Sequence, residues 1–552
     1  MDATPENIAD AEADSDRPRR LRWKPLLGIW IIWAILVPLF WFVIAADRTY
    51  QLMMMTGVNA AVVFFTLVWW TFFSGLRALT KLTGLAAAAA FAGLFAASFR
   101  LEFYGDMLPR LTGRWTQSPE DRAEEYFASA ASARSTEGDA AKQNDDPLAA
   151  AAGDWPRFRG PHGDGIVTGA AIRRNWIAEP PRQVWRHPVG RGWSSFAIVG
   201  NRAYTQEQRR IGESVVCYDA ATGKQIWVHS HEEVRFSESM GGVGPRATPT
   251  VFDSKVYALG ATGILTCQDA LSGDVVWRTN ILKDAGAKNL NWAMSGSPLV
   301  YDDVVVVNPG GEKGRGLTAY DRLTGKTRWA AGDDPASYSA PRLETIAGVR
   351  QILLFDAYGL KGHDANNGKE LWRRNWDNGP KVNSAQPIVR DGKLVFISSG
   401  YGRGSMLLEI ENADGGWTPN DRWGRENRNM KMKFSDGVDK DGYVYGFSET
   451  TLTCMEYETG KVAWRERTDY GYGQMLLVND LLLIQGELGE AALVEAAPRG
   501  FRELSRFQAI EGKTWNHPVL HRGFLYVRNA EEAACYDLRP ATRVAPGVLN
   551  GG

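Results

Sequence analysis

One motif recurs along most of this 552-residue chain, and it limits the folds that the chain can adopt. Its fullest form is Cys-Tyr-Asp-Ala-Ala-Thr-Gly-Lys-Gln-Ile-Trp at residues 217–227, and it returns every ~40 to 52 residues, the length of a propeller blade. The copies that keep a carboxylate, a glycine and a tryptophan are Asp219, Gly223 and Trp227; Asp269, Gly273 and Trp277; Asp321, Gly325 and Trp329; Asp364, Gly368 and Trp372; and Glu456, Gly460 and Trp464.

The motif is explained by local backbone chemistry. A short carboxylate at the end of an apolar strand accepts N–H bonds from the turn ahead of it. The glycine supplies a positive φ, which residues with a Cβ adopt at a cost. The tryptophan that follows is a large apolar group, which we expect to pack between neighbouring repeats. These residues therefore predict a fold, and they predict no chemistry.

An apolar hairpin precedes each motif, as in residues 387–397, where two apolar runs flank Asp-Gly. Each repeat therefore has four strands. The eight repeats start near Ser195, Thr248, Ser297, Ser339, Ser384, Ser435, Gly473 and Asn516. The last copy lacks its fourth strand, whereas residues 183–186 form a strand without a motif, so we expect them to complete the final blade. The sequence predicts an all-β, eight-bladed β-propeller of four-stranded antiparallel blades.

Three apolar runs precede the repeats, at about residues 26–46, 52–73 and 82–99. Each is about long enough to cross a bilayer as a helix. Arg and Lys precede the first run and separate the second from the third, which predicts a cytoplasmic N-terminus and an extracytoplasmic propeller. A cleaved signal peptide is the alternative for the first run, and its length and the lack of a small-x-small site disfavour that alternative. We expect a multi-pass protein of the bacterial inner membrane with its propeller in the periplasm.

These patterns divide the chain into five segments. They are a cytoplasmic tail (1–25), three transmembrane helices (26–100), an extracytoplasmic stalk or linker (101–153), the propeller (154–540) and a C-terminal tail (541–552). The stalk is polar and rich in Ala, Asp and Glu, which is typical of a frayed helix or a disordered segment.

Charge and cysteine spacing exclude several classes of function. Lys and Arg number 63 against 64 Asp and Glu, so no net field attracts nucleic acid. The cysteines, Cys217, Cys267, Cys454 and Cys535, all precede a motif carboxylate by two residues and form no CxxC, which predicts buried free thiols. Asp439 to Gly442 occupies a hairpin turn, and turn chemistry explains its aspartates, so we predict no metal site there. The sequence assigns no catalytic residue.

The block Asp-x-x-Thr-Gly-Lys-x-x-Trp resembles the repeat of the pyrroloquinoline quinone (PQQ) propellers, and residues 155–165 resemble the domain start of bacterial PQQ-like repeat proteins. That family contains quinoprotein dehydrogenases, which bind PQQ and calcium in the channel, and scaffolds such as outer-membrane-protein assembly factor B. The resemblance implies the fold and leaves both activities open. This chain has three spans where membrane glucose dehydrogenases have five, and it lacks their long insertions and the vicinal cysteine pair of many soluble quinoproteins.

A ligand site in such a ring is expected where loops enter the innermost strands. The candidate cofactor-binding residues there are Arg246, Trp292, Lys381, Asn383, Lys431 and Trp515. Cationic clamps and a stacking ring suit a planar anion such as PQQ, whereas a merely hydrated polar mouth is the alternative. Calcium requires converging carboxylates, which these loops lack. His517 is the one histidine that we single out.

The functional prediction is therefore a membrane-anchored, non-catalytic scaffold that binds protein or ligand. No cofactor is firmly predicted, and PQQ with Ca²⁺ is the possible one. The expected partners are the lipid bilayer, envelope proteins or a small anionic ligand, and no nucleic acid. The alternative is a membrane-bound, PQQ-dependent dehydrogenase that oxidises an alcohol or a sugar.

Overall fold

The computed structural model describes residues 21–44, 48–103, 105, 109–137, 148–424 and 427–540, without the side chains of 44, 48–50 and 131–137. The predicted C-terminal tail and most of the predicted cytoplasmic tail lie outside these residues. The chain divides into two compact units, residues 1–117 with 238–242 and residues 118–237 with 243–552.

Three helices in the first unit are long and apolar enough to cross a membrane. They are α1 (Trp23–Leu39), α2 (Arg48–Val68) and α3 (Ala78–Ser98), and π-helical turns follow the first two at Phe40–Ile44 and Trp69–Phe73. The apolar spans, Trp23–Val43, Gln51–Phe73 and Ala78–Ser98, have mean hydropathies of 2.5, 1.8 and 1.5. The amide of Asn59 within the second span accepts a hydrogen bond from Trp33 Nε1 at 2.9 Å. That bond satisfies the amide oxygen of Asn59, with which lipid chains cannot form a hydrogen bond.

The strands and the remaining helices follow in chain order. Before the first complete blade lie β1 (Phe99–Phe103), β2 (Pro109–Gly113), α4 (Pro119–Glu137), β3 (Ile166–Val167) and β4 (Arg182–Pro188). Blade 1 contains β5 (Ala197–Val199), β6 (Arg202–Gln208), β7 (Gly212–Asp219) and β8 (Gln225–Glu232), and β9 (Ser237–Glu238) and β10 (Gly242–Val243) follow it. Blade 2 contains β11 (Thr250–Phe252), β12 (Lys255–Leu259), β13 (Ile264–Asp269) and β14 (Val275–Asn280), followed by α5 (Ile281–Ala285). Blade 3 contains β15 (Leu299–Tyr301), β16 (Val304–Val307), β17 (Leu317–Asp321) and β18 (Thr327–Ala331).

Five further blades of the same kind complete the ring. Blade 4 contains β19 (Arg342–Ile346), β20 (Val349–Phe355), β21 (Gly359–Asp364) and β22 (Glu370–Asn375). Blade 5 contains β23 (Ile388–Arg390), β24 (Leu394–Ser399), β25 (Gly404–Ala413) and β26 (Gly416–Trp423), and blade 6 contains β27 (Val438–Lys440), β28 (Tyr443–Ser448), β29 (Thr451–Glu456) and β30 (Val462–Arg467). Blade 7 contains β31 (Gln474–Val478), β32 (Leu481–Gln485), β33 (Glu490–Glu495) and β34 (Glu503–Gln508), and blade 8 contains β35 (Val519–His521), β36 (Phe524–Arg528) and β37 (Glu532–Asp537) together with β4.

The eight-bladed propeller and its closure are confirmed. β4, which precedes blade 1 in the sequence, pairs antiparallel with β37 and supplies the fourth strand of blade 8. The register joins Trp185 to Cys535, the same pairing that joins Trp227 to Cys217 in blade 1. The pairing covers the edge of β37 that blade 8 would otherwise expose.

The motif turns have the geometry that their residue types favour. In blade 1 the Oδ1 atom of Asp219 accepts bonds from the N–H and the hydroxyl of Thr222, both at 2.8 Å. Gly223 has a φ of 72°, and its N–H donates to the carbonyl of Asp219. The carboxylates of Asp269 and Asp321 cap their turns in the same way.

The motif tryptophans join neighbouring blades. A Cβ added to Gly273 of blade 2 would lie only 2.6 Å from the ring of Trp227 of blade 1, so that ring lies directly on the glycine. The Nε1 atom of Trp227 also donates to the carbonyl of Ala270 at 3.2 Å. Trp372 differs, because it bonds Gln351 of its own blade at 2.7 Å, and blade 5 beyond it carries no motif turn.

All four cysteines are free and buried, as expected. Each lies on the third strand of its blade opposite a tyrosine of the second strand, as Cys217 pairs with Tyr204. Burial raises the pKa of the Cys217 thiol to about 12, so it acts as an apolar group at neutral pH.

The helix α4 packs against the propeller with one face. Ala123 and Phe127, four residues apart, are both buried in the core cluster that blades 7, 8 and 1 share. The Phe127 ring centroid lies 5.2 Å from that of His187 on β4 and 5.5 Å from that of Tyr218 on β7. The helix therefore covers the seam at which the ring closes.

Two ion pairs flank this apolar contact. The carboxylate of Glu120 lies 2.7 Å from Arg235, which follows blade 1. Arg122 lies 2.8 Å from Glu531 in a loop of blade 8. One charged pair on each side of the seam fixes the first turns of α4 to both blades, although exposure of the arginines limits what each pair contributes.

Candidate functional site

Two sets of loops open on one face of the ring, namely those that lead into the innermost strands and those that join the second strand of a blade to the third. The first-hairpin turns and the motif turns lie on the opposite face, because consecutive strands of each blade are antiparallel. We call the first face the mouth.

Seven aromatic side chains gather at the mouth. They come from loops of seven blades, and we call them the mouth cluster: Trp193, Trp292, Tyr338, Tyr401, Phe434, Tyr472 and Trp515. Two of them, Trp292 and Trp515, are among the residues that the sequence singles out.

On one side of the mouth four rings form a continuous run. The ring centroids of Trp193 and Trp515 are 5.1 Å apart, those of Trp515 and Phe434 are 4.7 Å apart, and those of Phe434 and Tyr472 are 4.9 Å apart. These separations lie in the range in which aromatic pairs attract beyond simple burial. The four rings therefore support one another and hold a fixed surface.

The other side is built around Trp292. Its ring centroid lies 5.4 Å from Tyr338 and 6.4 Å from Tyr401, with the latter ring stacked at 19°. The buried ammonium of Lys433 lies 5.1 Å from the ring centroids of both Tyr401 and Tyr472. These cation–π contacts of Lys433 join the rings on the two sides of the mouth into one cluster.

Glu487, an acidic residue in a mouth loop of blade 7, already contacts its neighbours. Glu487 is buried and accepts a bond from Trp515 Nε1 at 3.1 Å and from the N–H of Tyr472 at 3.3 Å. The ammonium of Lys513 lies 3.6 Å from the same carboxylate and 3.9 Å from the Trp515 ring centroid. Glu487 therefore positions Trp515 and offers little capacity for a metal ion.

The structure places Arg246 at the seam of blades 1 and 2. Its guanidinium lies over the ring of Phe236 at 4.7 Å and donates to the carbonyl of Gly244. It also faces Glu213, whose pKa burial raises to about 7 even though Arg246 and the N–H of Ala261 favour the charged form.

Lys381 and Lys431 make contacts outside the mouth cluster. The Lys381 ammonium lies 4.5 Å from the Tyr358 ring centroid and 3.3 Å from its hydroxyl. Lys431 uses its backbone N–H to bond Ser448 Oγ at 3.1 Å, and its side chain is half-buried.

Asn383 is fully buried and holds loops together. Its side chain donates to the carbonyl of Asp356 at 2.7 Å and accepts from Ser399 Oγ at 2.6 Å. Its own carbonyl accepts the N–H groups of Tyr338 and Ser339. Asn383 thus positions the loop that carries Tyr338.

Beneath the mouth, the channel is filled by the chain itself. Residues 154–167, with the sequence Asp-Trp-Pro-Arg-Phe-Arg-Gly-Pro-His-Gly-Asp-Gly-Ile-Val, enter from the opposite face, and we call them the plug segment. The segment turns back at Arg159 and Gly160, whose φ angles are 60° and 84°. It then leaves along β31, with which β3 pairs in parallel.

The plug segment binds the innermost strands around the ring. Trp155 exchanges backbone bonds of 2.7 Å with Ile198 of blade 1, and the carbonyl of Pro156 accepts the N–H of Val251 of blade 2. Asp154 lies 3.0 Å from His521 of blade 8. A cavity of about 40 Å³, which is room for a water molecule or two, lies between the segment and the strands of blades 2 to 5. A larger cavity of about 360 Å³ is lined by Pro156 and Pro161 of the segment, by residues 148–150 and by β11.

Arg159 is the main polar anchor of the plug segment. Its side chain is 2% exposed, and it lies 3.2 Å from the carboxylate of Asp436 at the start of blade 6. It also donates to the carbonyl of Gly437 at 2.7 Å, and Asp436 accepts the N–H of Gln386 at 2.6 Å. Burial lowers the pKa of Arg159, and Asp436 opposes that shift. Asp436 is therefore the counter-ion of the plug segment.

His517 lines the channel at the same level. It is buried, its Nδ1–H donates to the carbonyl of Pro518 at 3.1 Å, and its ring meets Phe158 edge-on at 5.5 Å. Burial lowers its pKa to about 4, so it is neutral at physiological pH. These contacts give His517 a packing role.

A calcium-bound quinone does not fit the described residues. Calcium takes about six to eight oxygen ligands, several of them carboxylates. Within the part of the chain that the structure describes, no three His, Cys, Asp or Glu side chains converge to hold an ion. Of the carboxylates near the mouth and the plug segment, Glu487 accepts a bond from Trp515 and Asp436 pairs with Arg159. We therefore derive no chemical step through PQQ.

Comparison with known proteins shows which propellers this one is similar to. Residues 211–466 match the family described as outer membrane protein assembly factor BamB. BamB of Yersinia pestis is 21% identical over 367 residues, which cover 64% of this chain and 77% of that protein. The quinohemoprotein alcohol dehydrogenase ADH IIB of Pseudomonas putida is 26% identical over 305 residues, which cover 47% of this chain and 41% of that protein.

The solved structures agree on the fold. Quinohemoprotein alcohol dehydrogenase from Comamonas testosteroni matches with a TM-score of 0.51 at 14% identity, over 76% of this chain and 86% of that one. The propeller is similar in sequence to BamB and to the quinoprotein alcohol dehydrogenases, which are PQQ-like repeat propellers. The chain spans about two fifths of the length of the curated quinoprotein relatives that it matches.

Several site residues have only a weak signal in the sequence. Trp193, Phe434 and Tyr401 lie in loops of unequal length that carry no motif, and their contacts join different blades. The plug segment does contain a signal, because Arg157 and Arg159 flank a phenylalanine in a Gly- and Pro-rich stretch directly before the ring. Glycines in such a stretch permit a tight reversal.

Proposed function

We propose that this protein is a membrane-anchored, non-catalytic scaffold, and that its mouth cluster binds a partner protein of the cell envelope. The three apolar helices support the anchor. The excess of Arg and Lys before the first helix supports a cytoplasmic N-terminus and an extracytoplasmic propeller, in the inner membrane of a bacterium.

The observation that carries the proposal is an aromatic mouth above a filled channel. The mouth cluster is held rigid by its own ring contacts, and Trp292, Trp515, Tyr401 and Phe434 remain partly exposed. Exposed, rigid tryptophans and tyrosines dominate the energy of protein interfaces. Because the plug segment runs through the channel below and binds its strands, we take the mouth to be a surface for recognition.

Site-specific photo-crosslinking in the native host tests the proposal. A benzoylphenylalanine placed at Trp292 should capture a partner, whereas one at Leu323, which is 54% exposed in a motif turn on the opposite face, should not. The capture at position 292 should be lost when Trp515→Ala is added, because both rings belong to one surface. Equal capture at positions 292 and 323 would contradict the proposal. So would capture at position 292 that Trp515→Ala leaves unchanged.

The second candidate is a membrane-bound PQQ-dependent dehydrogenase. Its support is the identity with quinoprotein alcohol dehydrogenases and the stacked Trp292 and Tyr401 rings, which suit a planar ligand. The carboxylates that calcium requires do not converge among the described residues. Substrate-dependent turnover with added PQQ would favour this candidate over the scaffold.

A further inference from the structure

Directly after α3 the chain forms a two-stranded hairpin with one apolar and one polar face. β1 and β2 pair antiparallel, and Leu101 lies opposite Leu111, while Glu102 lies opposite Arg110. Because directly opposed residues of a hairpin share a face, the two leucines belong to one side and the charged pair to the other. Phe99, Phe103 and Pro109 extend the apolar side.

The apolar face is open to its surroundings. Leu101 is 57% exposed and Leu111 is 55% exposed. Trp115, which is 72% exposed, packs its ring against Phe99 at 5.5 Å and over Gly113 on the same side. Exposed large apolar groups that share one face mark a surface that meets another apolar phase.

The polar side fixes the hairpin to the end of α3. Arg114 Nε donates to the carbonyl of Ala96 in the last turn of α3 at 2.9 Å. Arg100 donates to the carbonyl of Thr116 at 2.7 Å. α3 ends at Ser98 and β1 begins at the next residue, so the hairpin starts where the chain leaves the span.

We propose that this hairpin, formed by β1 and β2 with Arg114 and Trp115, is an interfacial anchor whose apolar face lies in the lipid leaflet from which α3 emerges. The inference rests on the proposed membrane insertion of α3. Tryptophan and arginine are favoured at the level of lipid headgroups, where the ring is in contact with acyl chains and the guanidinium reaches phosphate. The hairpin restrains the chain between α3 and α4 at the membrane surface.

Depth-dependent fluorescence quenching tests the inference in full-length protein reconstituted into phosphatidylcholine–phosphatidylglycerol nanodiscs. Single cysteines at Leu101→Cys and Leu111→Cys carry an environment-sensitive dye, and Glu102→Cys is the matched control on the polar face. The native cysteines are buried and do not compete for the dye. Ala89→Cys, in the middle of α3, reports whether the helix is inserted.

The dye at Leu101 and at Leu111 should be blue-shifted, and a spin label near the lipid headgroups should quench it at least about twofold more strongly than at Glu102, because alternate positions of a strand face opposite sides. No lipid quenching at Ala89 would overturn the membrane anchor itself. Quenching at Ala89 with equal, water-like signals at Leu101 and Glu102 would overturn the interfacial hairpin alone. A blue shift at Leu101 without lipid quenching would show that protein covers the face, and would also overturn it.

Discussion

Replacing Arg159 by alanine should lower the melting temperature of the propeller by about 4–6 °C, because the change leaves a buried carboxylate without its counter-ion. The guanidinium is 2% exposed and lies 3.2 Å from Asp436, which is itself buried. Asp436 keeps one backbone N–H bond, from Gln386, after the substitution.

The magnitude follows from the geometry of this pair. Removing one partner of a buried ion pair costs about 3–5 kcal/mol, because the other charge stays desolvated. At about 2.1 cal/mol/K per residue, a domain of roughly 390 residues has an unfolding entropy of about 0.8 kcal/mol/K. Dividing this free-energy cost by the unfolding entropy gives the expected decrease in melting temperature of about 4–6 °C.

The assay is thermal unfolding of the full-length protein in nanodiscs, followed by near-ultraviolet circular dichroism. Asp436→Asn alone should destabilise the propeller by a similar amount, since it leaves Arg159 unpaired. The double variant, Arg159→Met with Asp436→Asn, removes both charges and should recover at least half of the loss. If Arg159→Ala melts within about 1 °C of the wild type, or if the double variant is as unstable as the sum of the single variants, the plug segment is not held by this pair.

Three further changes test the fold and its electrostatics by the same melting assay. Gly273→Ala places a Cβ against a tryptophan at a φ of 82° and should lower the free energy of unfolding by more than about 2 kcal/mol. The control, Gly286→Ala, has a φ of 64° and open space around the new Cβ, so it should lose only about 1–2 kcal/mol through backbone strain. Phe127→Ala should lower the free energy of unfolding by about 3–5 kcal/mol, because it leaves a cavity in the seam under α4. Ser129→Ala, on the exposed side of that helix, should change the stability little. Equal melting temperatures of the two variants would show that α4 does not support the ring. The pKa of Glu213 is raised to about 7 in the folded state, so the folded protein holds an extra proton between about pH 4.5 and 7 and loses stability as the pH rises through that window. Glu213→Gln should therefore be more stable than the wild type at pH 8 by up to about 3 kcal/mol and similar to it at pH 4.5, and a pH-independent difference would contradict this assignment.

The sequence predicted the ring because its repeat encodes local chemistry. The carboxylate of Asp219 and the positive φ of Gly223 close the same turn wherever they occur. The pairing of β4 with β37 was predictable because one repeat lacked a strand and another strand lacked a repeat.

The channel and the mouth could not be predicted in this way. Arg159 and Asp436 are far apart in the sequence, and neither belongs to the recurring motif. The contact of Lys381 with Tyr358 was not predictable, since loop length alone does not fix the direction of a side chain. The packing of α4 depends on Ala123 and Phe127, two apolar residues at helical spacing within a polar stretch whose composition indicated a stalk.

If the mouth cluster is a recognition surface and not a quinone site, the protein should not bind PQQ. The most direct test is an equilibrium titration of PQQ with Ca²⁺ into the full-length protein and into Trp515→Ala, followed by quenching of protein fluorescence. We expect no saturable binding to either protein at micromolar PQQ. Saturable binding to the wild type that Trp515→Ala abolishes would contradict it and would identify the mouth cluster as a cofactor site.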